Sequence, residues 1–262
     1  MEKQVKEQTI KKILFVAALP AELRVLREVF SPQPERVQAD FFVSGVWCLD
    51  TTLRLTQKLS EHHYDFIINI GLCGYKDTKQ DIIQIARSVY LPTRKELLVP
   101  QFLKLAQRVS IACSEVPVYD ASLLWEEDYV DMESYAVEKV SEYFRILRLM
   151  LKVPYDRVWE ETRTFKPEEA QEYFKNIIST VDIYTPLLTY FSHLSEKKDI
   201  TKYLSYYSFT VSETIIFEKY FYSYETLSPG GFEAFFEEHK HLTKKVFLQK
   251  LSEACEELKR LE

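Results

Sequence analysis

The stretch that decides the fold runs Val130-Asp131-Met132-Glu133-Ser134-Tyr135-Ala136-Val137 and continues to Asp156. It opens as a short apolar lead-in carrying two acids. Ser134 to Phe144 then has helical spacing, with Ala136, Val137 and Val140 on one face. Ile146-Leu147-Arg148-Leu149-Met150-Leu151-Lys152-Val153 follows as an apolar strand, closed by Pro154-Tyr155-Asp156. A strand that delivers an acid at its carboxyl end is how open α/β sheets present reactive groups. Taken singly, Glu133 also reads as a surface acid and Asp156 as a helix cap.

Moving toward the N-terminus, Ile13-Leu14-Phe15-Val16-Ala17-Ala18 is a continuous apolar run suited to a buried parallel strand. Pro20 follows, and Ala21 to Phe30 carries Leu23, Leu26, Val29 and Phe30 on one helical face. Glu22 falls in the first turn, where the helix dipole favours an acid. Ser31 to Asp40 reads as a loop, Phe41-Phe42-Val43 as a short strand closed by Ser44-Gly45-Val46, and Asp50 to His62 as a helix. Tyr64 to Tyr75 is an apolar strand running into the Gly71-Leu72-Cys73-Gly74 turn. Asp81-Ile82-Ile83-Gln84-Ile85 and Val109 to Glu115 are further strands, and Val99 to Gln107 reads as a short helix.

Met132-Glu133, a small-residue helix, and a strand ending in Asp together resemble the nucleoside phosphorylase and nucleosidase superfamily. This superfamily includes methylthioadenosine/S-adenosylhomocysteine nucleosidases and futalosine hydrolases. The resemblance spans roughly residues 11 to 194 and implies a three-layer αβα fold around a central mixed sheet. It implies that Met132 and Glu133 hold the ribose hydroxyls. Asp156, twenty-three residues beyond Glu133, would be the acid that protonates the leaving base, kept protonated by a poorly solvated site. Glu22 would orient the attacking water. Cys73 and Gly74, in the Gly71–Gly74 turn, would face the substrate. Four positions depart from the family pattern, one of them Gln80, which replaces the glycine of a Gly-Asp-Ile-Val segment. Trp47 stands where a glycine is usual, in space that a sugar or anion would use, Leu72 replaces a hydroxyl residue, and Tyr75 replaces the last glycine. Phosphorylases of this family place an Arg shortly before the turn matched by Gly71–Gly74. Asn69 occupies that neighbourhood, and phosphate needs charged or N–H donors, so the pattern points to hydrolysis over phosphorolysis. Tyr119 and Trp125 are candidates by residue type for stacking on the base. No metal or organic cofactor is implied.

The 262 residues leave room for one large domain, or a domain with an extension. Hydrophobic content of 46% with 28% charged residues belongs to a soluble globular chain. A net charge of −6 offers no basic surplus to neutralise nucleic-acid phosphates. Cys48, Cys73, Cys113 and Cys255 show no paired metal-ligand spacing and read as buried free thiols. Met1 to Lys12 is polar and the following apolar run is too short to span a membrane, so the expected location is cytoplasmic.

Residues 195 to 262 fall outside the resemblance. Thr164 to Pro167 reads as a helix start, and Ala170, Tyr173, Phe174, Ile177 and Ile178 continue at helical spacing. Beyond the charged link Ser195–Asp199, Lys202 to Tyr224 is dense in Tyr and Phe. Leu227-Ser228-Pro229-Gly230-Gly231 is a break, and Phe232 to Glu262 reads as one or two amphipathic helices. A helical appendage packed on the core, a dimer contact and a lid are all compatible with this. His239 and His241, two apart, do not share a helical face as a metal pair would. The expectation is a phosphorylase-like domain over 11–194 with a helical extension over 195–262. The expected activity is hydrolysis of a purine nucleoside by a homodimer. A phosphorylase, or a non-catalytic nucleoside-binding or structural relative, stands beside it.

Overall fold

A computed structural model describes residues 10–158, 167–195, 200–228 and 230–260. The polar lead before residue 10, the helix start at Thr164–Lys166, the link at Glu196–Asp199 and Pro229 lie outside the described residues. By contacts the chain forms two compact units. One comprises Met1–Pro100 and Lys104–Asp182, the other Gln101–Leu103 and Ile183–Glu262.

The first unit is built on an eight-stranded mixed sheet. Its strands are β1 (Lys11–Ala17), β2 (Val37–Val43), β3 (Phe66–Tyr75), β4 (Ile83–Tyr90), β5 (Lys95–Leu98), β6 (Gln107–Cys113), β7 (Tyr129–Asp131) and β8 (Leu147–Arg157). β2, β1, β3 and β8 run parallel in that order. β8 then pairs antiparallel with β4, β4 pairs parallel with β6, β6 pairs parallel with β7, and β7 returns antiparallel to β3. The pairings therefore close into a ring, β3-β8-β4-β6-β7-β3. β5 adds to β4 as an outer strand. Helices α1 (Pro20–Phe30) and α4 (Pro167–Ile178) pack on each other, as do α2 (Cys48–Glu61) and α3 (Ser134–Phe144).

Both faces of the sheet are covered, which explains the unbroken apolar runs. In β1, Ile13, Leu14, Phe15 and Val16 are all fully buried. Phe15 stacks on Phe30 of α1 and Phe41 of β2. Leu14 and Val16 join the cluster of Leu55, Leu59, Val137 and Val140 from α2 and α3. Glu138 of α3 pairs with Arg148 of β8 through two nitrogens, so the one cation in the N-terminal half of that strand is matched below the surface.

Two elements differ from the sequence reading. The expected helix at Val99–Gln107 is absent: Pro100 disfavours helical backbone at Val99, and the Gln84 side chain accepts from the Leu105 N–H at 2.9 Å, holding irregular backbone there. β2 begins at Val37, within what reads as a loop, because its backbone pairs with Lys11 onward despite a polar sequence.

The second unit is helical: α5 (Tyr184–Ser195), α6 (Thr201–Tyr207), α7 (Val211–Leu227), α8 (Phe232–His239) and α9 (Lys244–Arg260). The expected division after residue 194 falls at the end of α5, which clusters with this unit. The aromatic density of its sequence becomes a core of its own, with Tyr203, Phe217, Phe221, Phe232, Phe236 and Phe247 packed ring on ring. Thr210 caps α7 and Glu213 returns the bond to the Thr210 N–H at 2.8 Å. No described helix is long and apolar enough to cross a membrane.

Candidate active site

The ends of β1, β3, β7 and β8 open into a cavity of about 240 Å³. Glu22, Cys73, Gly74, Met132, Glu133 and Asp156 all line it. Residues from four separated segments, singled out one by one in the sequence, thus meet at one place.

Glu22 is both a helix acid and a cavity acid. One carboxylate oxygen accepts from the Leu19 N–H at 2.9 Å, closing the first turn of α1. The other crosses to the Leu72 N–H at 2.8 Å, tying α1 to β3, which continues as strand through the expected Gly71–Gly74 turn. Burial raises its pKa, while those N–H bonds and the Lys152 charge act against the rise. Gly71 lets the carboxylate come this close: a Cβ there would lie 3.1 Å from Glu22 Oε1.

Glu133 stands at the start of α3 and is 5% exposed. Burial pushes its carboxyl up to about 8. The nearby Lys152 and the backbone N–H of Trp47 pull it down, and Asp131 and Glu22 push it further up. Asp156 lies at the far end of β8, half-buried, just past a bulge in the pairing with β3. Cys73 lies among these groups, and burial holds its thiol well above the usual range.

The sequence reading missed Lys152. It sits in the middle of β8, 1% exposed, with Nζ 2.8 Å from Asp131 and 3.7 Å from Glu133. Burial works to lower its pKa, but Asp131, Glu133 and Glu22 outweigh that and hold it above the usual lysine range. Asp131 is fully engaged. It accepts from the Ser134 N–H and from Ser134 Oγ at 2.7 Å, capping α3, and Ser134 Oγ meets Ser88 Oγ at 2.8 Å. A signal existed. A lysine inside Leu149-Met150-Leu151-Lys152-Val153 belongs to a strand covered on both faces, and a buried cation needs buried acids.

The departures from the family pattern resolve differently from one another. Trp47 does not fill the cavity. It takes φ of 76° at the start of α2, and its side chain is half exposed. Positive φ at this residue explains why glycine suits the position. Leu72 does line the cavity, whereas Tyr75 packs into the core between helices and sheet. Asn69 is buried with its Nδ2 on the Val16 carbonyl, away from the cavity lining. Of the two stacking candidates, Tyr119 lines the cavity, together with Val116, Pro117 and Val118. Trp125 lies outside it, under the Arg94 guanidinium at 4.0 Å. Among the described lining residues there is no Lys, Arg or His.

No family model and no curated protein matches this chain. Solved structures do. A methylthioadenosine/S-adenosylhomocysteine nucleosidase (MTAN) variant from Chlamydia trachomatis, bound to MTA, superposes with a TM-score of 0.57 at 21% identity, over 69% of this chain and 98% of that one. A futalosine hydrolase mutant from Helicobacter pylori gives 0.56 at 14% identity, over 64% and 97%. The Neisseria meningitidis nucleosidase in complex with methylthio-immucillin-A gives 0.51 at 12%, over 65% and 100%. The chain has the fold of these nucleosidases, followed in sequence by a C-terminal helical region.

Proposed function

We propose that this cavity hydrolyses the N-glycosidic bond of a purine nucleoside. The observation that carries the reading is the meeting of Glu22, Glu133 and Asp156, from three distant segments, in one small cavity without a lining cation among the described residues. The fold shared with nucleosidases supports it.

The groups divide the work by position. Glu133, with a pKa of about 8, holds a proton at neutral pH in the empty cavity and can both donate to and accept from ribose hydroxyls. Asp156, partly buried at the end of β8, donates a proton to a ring nitrogen of the purine as the C–N bond breaks. Glu22, immobilised by the Leu19 and Leu72 N–H groups, holds water beside the cationic sugar and takes its proton. The water oxygen bonds to the sugar carbon, giving free base and free sugar. Phosphate in place of water would need donors of opposite charge, and no described lining residue is a cation.

The test is purine release from a nucleoside panel with and without phosphate. Release without phosphate, lost by about 10²- to 10⁴-fold in Asp156→Asn, is the expected result. Release that requires phosphate makes the protein a phosphorylase. No release from folded protein leaves a binding or structural role.

A further inference from the structure

Behind the cavity lies a pair of thiols that the mechanism does not use. Cys48 Sγ and Cys113 Sγ are 3.3 Å apart, on elements 65 residues apart in sequence. They pack with Ala136 of α3 under the stacked rings of Tyr90 and Tyr135. Cys48 opens α2. Cys113 is in register with Asp131 across β6 and β7, and the next residue, Ser114, donates its N–H to the Asp131 carbonyl at 2.9 Å. A disulfide needs its sulfurs at about 2.05 Å, so closure would draw the start of α2 and the end of β6 together by roughly an ångström.

We infer that Cys48 and Cys113 are a redox-active dithiol, closed to an intramolecular disulfide by a hydroperoxide. Exposure assigns the order, since Cys48 is 7% exposed and Cys113 fully buried. The Cys48 thiolate attacks the peroxide, the O–O bond breaks, and sulfenic acid forms as hydroxide leaves and is protonated to water. Cys113 then attacks the Cys48 sulfur. The S–O bond breaks, the S–S bond forms, and a second water leaves. Two thiols lose two electrons and two protons, and hydrogen peroxide is reduced to two waters. Burial raises the Cys113 thiol well above its usual range, which suits the resolving partner that reacts only once its neighbour is oxidised. The inference is independent of the glycosidic reading.

The experiment is hydrogen peroxide treatment of the full chain, followed by intact-mass and peptide analysis with alkylation of remaining thiols. The expected result is a loss of about 2 Da reversed by dithiothreitol, with Cys48 linked to Cys113 and with Cys73 and Cys255 still alkylated. In Cys113→Ala the same treatment leaves Cys48 as an acid, a gain of about 16 or 32 Da. A gain of that size in the unaltered chain, a link through Cys73 or Cys255, or no reaction overturns the dithiol.

Discussion

At the scale of single residues, the site is a problem in charge. Asp131, Glu133 and Glu22 share one ammonium, Lys152, in a place with little water. Removing that ammonium leaves buried acids without a counter-charge, which costs about 3–5 kcal/mol. Lys152→Met should therefore lower the stability of the first unit to urea by that order, well beyond a surface lysine substitution. The same crowding makes stability depend on pH. Glu133 titrates near 8 in the fold against an ordinary 4.5, and Glu22 is raised as well. The folded state then binds these protons more tightly than the unfolded chain. The Glu133 contribution is complete below about 4.5 and is lost as pH rises through about 8, and Glu22 acts in the same direction. Melting temperature should fall between pH ~5 and ~9, and Glu133→Gln should flatten that fall. A melting temperature that climbs over this range would mean Glu133 is ionised throughout. This balance was hidden in the sequence. Asp131 and Glu133 were visible as acids and Lys152 as a cation in an apolar strand, but spacing does not say that the three side chains meet.

At the scale of elements, strand and helix identity was legible wherever burial was complete. β1, β3 and β8 are apolar through most of their length, and α3 runs from Ser134 to Phe144, as its spacing predicts. Legibility failed at the margins. β5, with Lys95 and Glu96 exposed, has little apolar pattern because it pairs on one side of the sheet. The Val99–Gln107 stretch has helical spacing, yet Pro100 and the Gln84 side chain hold it irregular. Gly71 and Gly74 read as a turn, whereas β3 runs on through them to Tyr75, and the reason for Gly71 was not legible. Its missing Cβ makes room for the Glu22 carboxylate, which arrives from another element. Gly71→Ala should displace that carboxylate by a few tenths of an ångström. Purine release should fall by at least about tenfold, since an ångström of misplacement costs on the order of 10²-fold, and circular dichroism and unfolding should be nearly unchanged. Full activity in this variant would remove Glu22 from the reaction.

At the scale of the whole molecule, the chain carries two cores. The six site residues picked from the sequence all belong to the first unit. The aromatic-rich tail could be read as an appendage, but a list of Tyr and Phe does not say that they face one another. Phe217, fully buried, touches the rings of Tyr203, Phe209, Phe221, Phe232 and Phe247. Phe217→Ala should cost the second unit about 3–5 kcal/mol, seen as faster amide exchange in α7 and α9. Equal loss in the strands of the first unit would contradict two separate cores. The closed circuit of strands has a consequence in time. One of its two thinnest seams is β3 with β7, two residue pairs only, Gly74 with Val130 and Tyr75 with Tyr129, as few as join β4 to β8, and both Gly74 and Val130 border the cavity. A circle cannot close at that seam before β4, β6 and β8 have found their neighbours, and joining strands so distant in the chain is slow. During refolding, helical signal should recover first, and the capacity to hold a ligand should be the last property to return.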